Sequence, residues 1–423
     1  MFATFKQVFK STNKDLRNRI LFTLAALFIF ALGNAITVPG MQEIVGDLGF
    51  LELLNAMAGG GLKRFSIFAL GVTPYISMSI IMQLLQLDIV PYFKDLKELG
   101  EEGRRKINKI NRYGGIIIAF IQGYLFSIMF MGDTATPMTY LKVATILAAG
   151  TAFLLWLGDQ ITNKGIGNGI SMIIMAGIVN TIPSMLGTAF TTFVPTDGTG
   201  NLFIGLITYA LFILIYLAII VGIIFVEQAE RRLPMQYSNR TNSAYGSQQT
   251  YLPMKINTAG VMPVIFASTL ISIPTTITYF VESEKISLFI EKYLSYTTVP
   301  GFILYMALIF IFAYFYVFIA MNPDEVSKNL NKSGGYIPGI RPGKETSTYI
   351  RQVLSRITLL GATFLAILSA IPILFTVFTD LPATVSVGGT SLLIVVGVLL
   401  ETYKQLESSV ASRGYKRGWI VWI

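Results

Sequence analysis

Apolar residues in this chain come in long blocks, and polar residues gather between the blocks rather than alternating with them. Ten blocks stand out: Ile20 to Val38, Val72 to Leu87, Tyr113 to Met131, Leu141 to Leu157, Gly169 to Phe190, Leu202 to Val226, Thr258 to Phe280, Pro300 to Met321, Ile357 to Thr376 and Val385 to Leu400. A helix needs about 20 apolar residues to cross the hydrocarbon core of a bilayer, so the pattern predicts ten transmembrane helices. The second and tenth blocks are short, which leaves their ends soft. Lys142, at the edge of the fourth, is the single Asp, Glu, Lys or Arg within these bounds.

The polar turn Thr191 to Asn201 (TTFVPTDGTGN) separates the fifth block from the sixth. It divides the chain into residues 1–190 and 202–407, with 408–423 as a tail. Five is odd, so the two halves must cross the membrane in opposite senses, which is the arithmetic of an inverted repeat. A short echo accompanies it. Gly71-Val72-Thr73-Pro74-Tyr75-Ile76 opens the second block and Gly260-Val261-Met262-Pro263-Val264-Ile265 opens the seventh. Gly and Pro are frequent at membrane-helix starts, so chance and a true repeat both account for the match.

Composition agrees with lipid as the main solvent. The mean hydropathy is +0.63, and 53% of the residues are hydrophobic against 13% charged, which excludes an ordinary soluble domain. With the N-terminus placed in the cytoplasm, only Lys63, Arg64, Lys142, Lys285 and Lys292 fall outside, and the remaining 27 of the 32 Lys and Arg fall inside. That is the positive-inside bias, and it puts both termini in the cytoplasm. The net charge of +9 then reflects topology and gives no reason to expect direct nucleic-acid specificity. The first block lacks a small-residue cleavage site and runs into Pro39-Gly40, so it reads as a retained helix.

Four connections are unusual. Asp88 to Arg112, Glu227 to Asn257 and Asn322 to Arg356 are too long and polar to be simple loops. In the last, Gly334, Gly335, Pro338, Gly339, Pro342 and Gly343 predict a structured turn rather than a helix. On the outer side, Ala58 to Leu70 (AGGGLKRFSIFAL) is glycine-rich, then apolar, and too short to cross before Pro74. Such a piece can re-enter the membrane only where protein or water surrounds it.

The chemistry that is missing narrows function. There is no cysteine and no histidine, which removes thiolate chemistry and the commonest metal ligand and proton shuttle. No phosphate-binding G-x-x-x-x-G-K-[ST] loop is present. An intramembrane aspartyl protease needs two facing aspartates, and Asp159 in WLGDQ, which has no second aspartate to face, reads as a boundary residue at a helix end. Coupled carriers and pumps usually place ionisable groups near the midplane, and the blocks offer none. A passive conduit energised by a partner is the leading class. A solute carrier whose ion sites are made of carbonyls and hydroxyls is the competing one.

Six stretches carry a family resemblance: RFSIFALGVTPYISMSIIMQLLQ (Arg64 to Gln86), GRRKINKINRY (Gly103 to Tyr113), WLGDQITNKGIGNGISMIIMAGIV (Trp156 to Val179), LPMKINTAGVMPVIFAS (Leu252 to Ser268), SGGYIPGIRPGKET (Ser333 to Thr346) and GGTSLLIVV (Gly388 to Val396). In these stretches and their order the chain resembles the SecY/Sec61-alpha family of protein-translocating channels, in its bacterial branch. It departs at Ala31, where the family usually has arginine, at the second large loop, which reads EQAERR, and at the C-terminal GYKRGWIVWI.

The resemblance implies an all-α integral membrane protein, with ten helices in two inverted five-helix halves around a central pore. It implies that Ile76, Ile80, Ile170, Ile174, Ile265 and Ile394 line the pore constriction. A narrow ring of β-branched apolar side chains dewets and bars ions while yielding to a threading chain. Taken singly, each of these isoleucines is also an ordinary membrane-helix residue. Ala58 to Leu70 becomes the plug, with Gly59, Gly60 and Gly61 as hinge and Leu62, Arg64, Phe65, Ile67 and Phe68 as its body. The second and seventh spans become the sides of a lateral gate, marked by Pro74, Gln83, Gln86, Pro263 and Ser268. Gln83 and Gln86 suit equally a seam that opens and plain interhelical glue. Pro263 and Pro274 are expected to loosen the seventh helix. Arg231, Arg232 and Arg341 match positions that engage a motor or ribosome, although positive-inside bias also explains such charges. The implied partners are SecE, SecG, the SecA motor ATPase, the ribosome, signal peptides and unfolded secretory chains, with membrane lipids around them. The implied location is the bacterial plasma membrane. No cofactor, metal or catalytic residue is implied.

Overall fold

A computed structural model describes residues 14–41, 44, 51–86, 90–131, 136–194, 202–237, 250–278, 284–294, 298–378 and 388–418. Its elements, in chain order, are α1 (Lys14–Ala35), α2 (Glu52–Met57), α3 (Thr73–Leu85), α4 (Pro91–Glu98), α5 (Glu101–Met131), α6 (Pro137–Lys164), α7 (Gly169–Phe193), α8 (Leu202–Gln228), β1 (Glu230–Tyr237), β2 (Thr250–Lys255), α9 (Met262–Thr278), α10 (Glu284–Leu294), α11 (Val299–Ala320), α12 (Pro323–Lys332), β3 (Gly335–Tyr336), α13 (Lys344–Phe378) and α14 (Gly388–Gly418). Every predicted apolar block falls on a helix. Among the described residues, seven helices are long and apolar enough to cross a membrane, and α3 and α9 are shorter apolar ones. The tenth block lies on α14 from Gly388 onward; its first residues, 385–387, lie outside the described ones.

Several helices overrun their blocks, α5 and α13 among them. α5 has 31 residues and α13 has 35, about 46 and 52 Å of helix at ~1.5 Å per residue against the ~30 Å of a hydrocarbon core. The excess is polar (EEGRRKINKINR and KETSTYIRQVLSR), so these helices project beyond the bilayer and carry the basic segments with them. Glu101 and Glu102 in the first turn of α5 favour its start there by complementing the helix dipole.

The long connections are built, not slack. The second forms β1 and β2, and the third supplies α12 and β3, giving a three-stranded sheet of order β2-β1-β3. Arg231 pairs with Met254, Leu233 with Leu252 and Gln236 with Tyr336. Leu233, Met235 and Met254 turn inward onto Leu330, Ile350 and Leu354. The apolar blocks gave no signal of this sheet, whose strands of eight and six residues lie wholly within polar loops. The glycine-rich turn is as expected: Gly334, Gly339 and Gly343 have φ of 70°, 82° and 103°.

The G-V-x-P-x-I echo is a repeat of local structure. Gly71 and Gly260 have φ of 56° and 60°. Val72 O accepts from the amides of Tyr75 (3.1 Å) and Ile76 (3.2 Å), and Val261 O accepts from those of Val264 (3.1 Å) and Ile265 (3.3 Å). Pro74 and Pro263 are each the second residue of their helix, where the missing N–H breaks no intrahelical bond. The expectation that Pro263 loosens the seventh helix is therefore corrected. Pro274, inside α9, is the residue that removes a backbone bond.

Packing groups the chain into two compact units, Met1–Tyr209 with Asp380–Ile423, and Ala210–Thr379. In the first, α5 packs against α3 and α6, α7 against α6 and α14, and α1 against α6 and α7. Its core includes Val38, Leu62, Phe65, Ala119 and Leu147. In the second, α11 packs against α9 and α13, and α12 packs against α13. Chain order and packing thus draw different lines: α14 follows the second half in sequence and packs with the first unit.

Candidate functional site

Between α1 and α3, residues 51–72 fold into the first unit as short helix α2 followed by tight turns. Gly59 and Gly60 leave α2 with φ of 71° and 80°, the left-handed conformation that ends helices at little cost only in glycine. The Gly59 carbonyl accepts two side-chain amides: Asn34 Nδ2 of α1 at 2.6 Å and Asn180 Nδ2 of α7 at 2.9 Å. Asn34 Oδ1 accepts in turn from Ser66 Oγ at 2.9 Å, and both residues are almost fully buried. Asn55 Oδ1 accepts the Lys63 amide at 3.0 Å, and its Nδ2 donates to Glu52 Oε1 at 3.2 Å. Buried polar groups of this kind hold position because leaving one unpaired costs about 1–3 kcal/mol.

Backbone bonds and shape complete the attachment. The Val38 amide donates to Phe65 O at 2.8 Å, and the Ile67 amide to Ile36 O at 2.9 Å. Phe65 has φ of 49°, an uncommon conformation for a bulky residue, and is fully buried edge-on to Phe130 at 5.7 Å. Phe68 stacks between Phe30 (6.1 Å) and Phe153 (5.9 Å). A Cβ on Gly177 of α7 would lie 2.5 Å from Met57 O, and one on Gly150 of α6 would lie 2.1 Å from Ile67 O. The two helices offer bare backbone where the segment rests.

Some of the predicted isoleucines stand on helices that this segment touches. On α7, Ile170, Ile174, Gly177 and Thr181 share one stripe at ~100° per residue. Gly177 and Thr181 touch Met57 and the Gly59–Gly60 turn, and Ile174 is about one turn, ~4.5 Å, further along. On α3, Ile76 and Ile80 share a face with Gln83. That face is turned away from the one bearing Tyr75 and Met78, which abuts Gly114 and Gly115 of α5. Ile394 lies on α14, which packs against both α2 and α7. Ile76, Ile174 and Ile394 are buried, and Ile80 and Ile170 are half-buried. Ile265 belongs to α9 of the other unit and is half-buried there.

Comparisons with known proteins bear on this arrangement. The SecY family model matches residues 66–403. The protein translocase subunit SecY of Staphylococcus epidermidis is 47% identical over 430 residues, covering 98% of this chain and 99% of that protein. The chain belongs to the SecY family. Its fold is also that of a solved SecY whose plug domain stabilises the closed channel (TM-score 0.63, 19% identity, 93% of this chain and 92% of that one) and of Sec61 in a canine ribosome–channel complex (TM-score 0.59, 17% identity, 93% and 92%).

Within this SecY-family chain the remaining expected residues have definite settings. Pro74 is buried in the first turn of α3, and Gln86 caps the end of that helix. Gln83 Oε1 is buried without a hydrogen-bond partner among the described residues. Ser268 is buried on α9 and donates to Ile265 O at 2.9 Å. Arg231 and Arg232 are exposed neighbours on β1. Arg232 Nε pairs with Glu230 Oε1 at 2.9 Å, and its guanidinium lies 4.7 Å over the Tyr251 ring. Those contacts, the Glu230 hydrogen bond first, raise its already high pKa further. Arg341 is exposed in the glycine turn, its carbonyl accepting from Thr346 Oγ1 at 2.8 Å. Of the residues expected in a plug, Arg64 is exposed and Leu62 buried. Gly59 and Gly61, expected as a hinge, are buried and tied in this conformation.

Asp159, read as a boundary residue with no second aspartate facing it, pairs with Arg112 Nη2 at 2.5 Å. The amides that hold the 51–72 segment, Asn34, Asn55 and Asn180, were not anticipated, nor was Gly177. A signal for two of them existed, since Asn34 and Asn180 are lone amides inside otherwise apolar blocks, where a polar side chain is costly unless it has a partner. No cluster of three or more His, Cys, Asp or Glu suited to a metal occurs among the described residues.

Proposed function

We propose that this chain is the central channel subunit of a bacterial protein translocase. It passes unfolded secretory polypeptides outward through a collar made of Ile76, Ile80, Ile170, Ile174, Ile265 and Ile394, and releases hydrophobic helices sideways between α3 and α9. The observation that carries the reading is the α7 stripe, on which Ile174 stands one turn from the glycine that seats the segment after α2. A stopper resting directly on a hydrocarbon constriction is a seal in two layers. The constriction bars ions by dewetting, and the stopper covers it when no chain is threading.

The energy for translocation comes from a partner, because the chain has no phosphate-binding loop. A SecA-type motor or a ribosome fits this role, and the fold's occurrence in ribosome-bound Sec61 supports the second. Exposed Arg231, Arg232 and Arg341 are suited to carboxylate or phosphate on such a partner, since guanidinium binds both bidentately. SecE and SecG complete the complex. The plasma membrane with both termini cytoplasmic is the location that the charge asymmetry supports.

Reconstitution tests the proposal. Vesicles holding the copurified complex, given a secretory precursor, ATP and a SecA-type motor, are expected to take up the precursor into a protease-protected form. Arg341→Glu should reduce the coupling to the motor while leaving the passive seal intact. Vesicles that never protect precursor, with motor or ribosome supplied, would count against the channel reading.

A further inference from the structure

We infer that α10, between α9 and α11, is an interfacial anchor that binds the surface of an anionic bilayer. Ile290 is buried, and α10 packs against α9 and α11. Away from Ile290 the helix is unusual in carrying exposed apolar and basic residues together. Leu288 and Phe289 are each 58% exposed and Tyr293 is 45% exposed, with exposed Lys285 and Lys292 beside them. At ~100° per residue these five positions fall within one arc of about 140°. The helix's two glutamates, Glu284 and Glu291, occupy register positions outside that arc.

The chemistry of this face selects its occupant. Three large apolar side chains in water are unfavourable, and the hydrocarbon core has no place for two ammonium groups. The headgroup and acyl boundary of a bilayer satisfies both. Leu288 and Phe289 enter the acyl region while the lysine stems lie along it and lift their ammoniums to the phosphates. Tyr293 suits the same depth, and Lys292 Nζ lies 5.7 Å from its ring. Anionic lipid is favoured because the arc holds two cations and no carboxylate. Position agrees: short connections tie α10 to the ends of α9 and α11, so it sits where those helices leave the membrane. Resting on the functional reading above, the consequence is that lipid charge biases α9, which carries Ile265, Pro263 and Ser268.

The chain has no cysteine, so Leu288→Cys and Phe289→Cys each give a single site for a nitroxide label. The complex, with cysteine-free partner subunits, is placed in zwitterionic vesicles with or without phosphatidylglycerol, and collisions with oxygen and a nickel chelate are read. Leu214→Cys on α8 and Ser333→Cys after α12 mark the acyl core and water. Labels at 288 and 289 are expected to lie between these limits and deeper with phosphatidylglycerol present. Lys285→Gln and Lys292→Gln should each shift the docked population about fivefold toward water. Labels as open to nickel as Ser333→Cys in both lipids overturn the proposal. So do labels shielded from oxygen and nickel alike, which indicate a protein cover. Precursor uptake by the same vesicles separates the two claims: uptake with water-exposed labels sinks only the anchor, and membrane-embedded labels without uptake sink only the channel reading.

Discussion

Asn34 on α1 and Asn180 on α7 donate to the same oxygen, the carbonyl of Gly59, at 2.6 and 2.9 Å. One acceptor thus ties the turn after α2 to two helices. A carbonyl has two lone pairs, so either amide alone still satisfies it. Asn34→Ala or Asn180→Ala should each cost about 1 kcal/mol, raising the displaced population roughly fivefold. The double variant should cost more than the sum, because only then is the buried oxygen left unpaired. A double-mutant cycle on ion leak or thermal unfolding reads the coupling, and strict additivity would argue against a shared latch.

Gly177 is the seat beneath that latch. A Cβ there meets Met57 O at 2.5 Å and Gly59 N at 3.1 Å, both backbone atoms that cannot rotate away. Gly177→Ala should therefore push the segment outward, costing about 1–3 kcal/mol in the seated state and leaving a leak when no precursor is present. Gly187, with open space around its Cβ position, is the control: Gly187→Ala should leave the seal unchanged.

Gln405 on α14 accepts the Gly167 amide at 2.9 Å, and Thr402 Oγ1 lies 3.6 Å from Met172 Sδ. These contacts grip the start of α7 just ahead of Ile170 and Ile174. Gln405→Ala should loosen that end by about 1 kcal/mol and lower precursor uptake without opening the resting seal. Hydrogen exchange of the 165–168 turn measures it; unchanged protection would mean the grip is incidental.

The Arg112–Asp159 pair joins the projecting part of α5 to α6, with side chains 50% and 25% exposed. Partly exposed pairs contribute roughly 0–1 kcal/mol and weaken in salt. Asp159→Asn should accordingly lower the midpoint of thermal unfolding only slightly, and less at high salt than at low. A large loss would mean the pair has a role beyond packing.

The spans were legible in the sequence because burial in lipid imposes one plain demand: about 20 consecutive apolar residues with internally bonded backbone. The G-V-x-P-x-I echo was visible too, though letters alone could not separate chance from repeated hydrogen bonding. The sheet was hidden because β3 is two residues long and exists only by pairing with β1 across 100 residues of chain. The latch was hidden for a different reason. Asn34 and Asn180 are readable as polar intrusions in apolar blocks, yet their common partner is a backbone oxygen, which no residue type announces. The glycine run suggested freedom to swing; packing turned Gly59 and Gly61 into points of attachment.

Ion conductance across planar bilayers holding the idle complex tests the central claim most directly, with Ile174→Asn and Ile76→Asn compared against the natural chain. The account predicts a steady ion current in each variant, larger again when combined with Gly177→Ala, because an amide wets the collar that branched hydrocarbon keeps dry. Conductance indistinguishable from the natural chain in all of these variants would contradict it, and would mean that these isoleucines pack helices without lining a conduit.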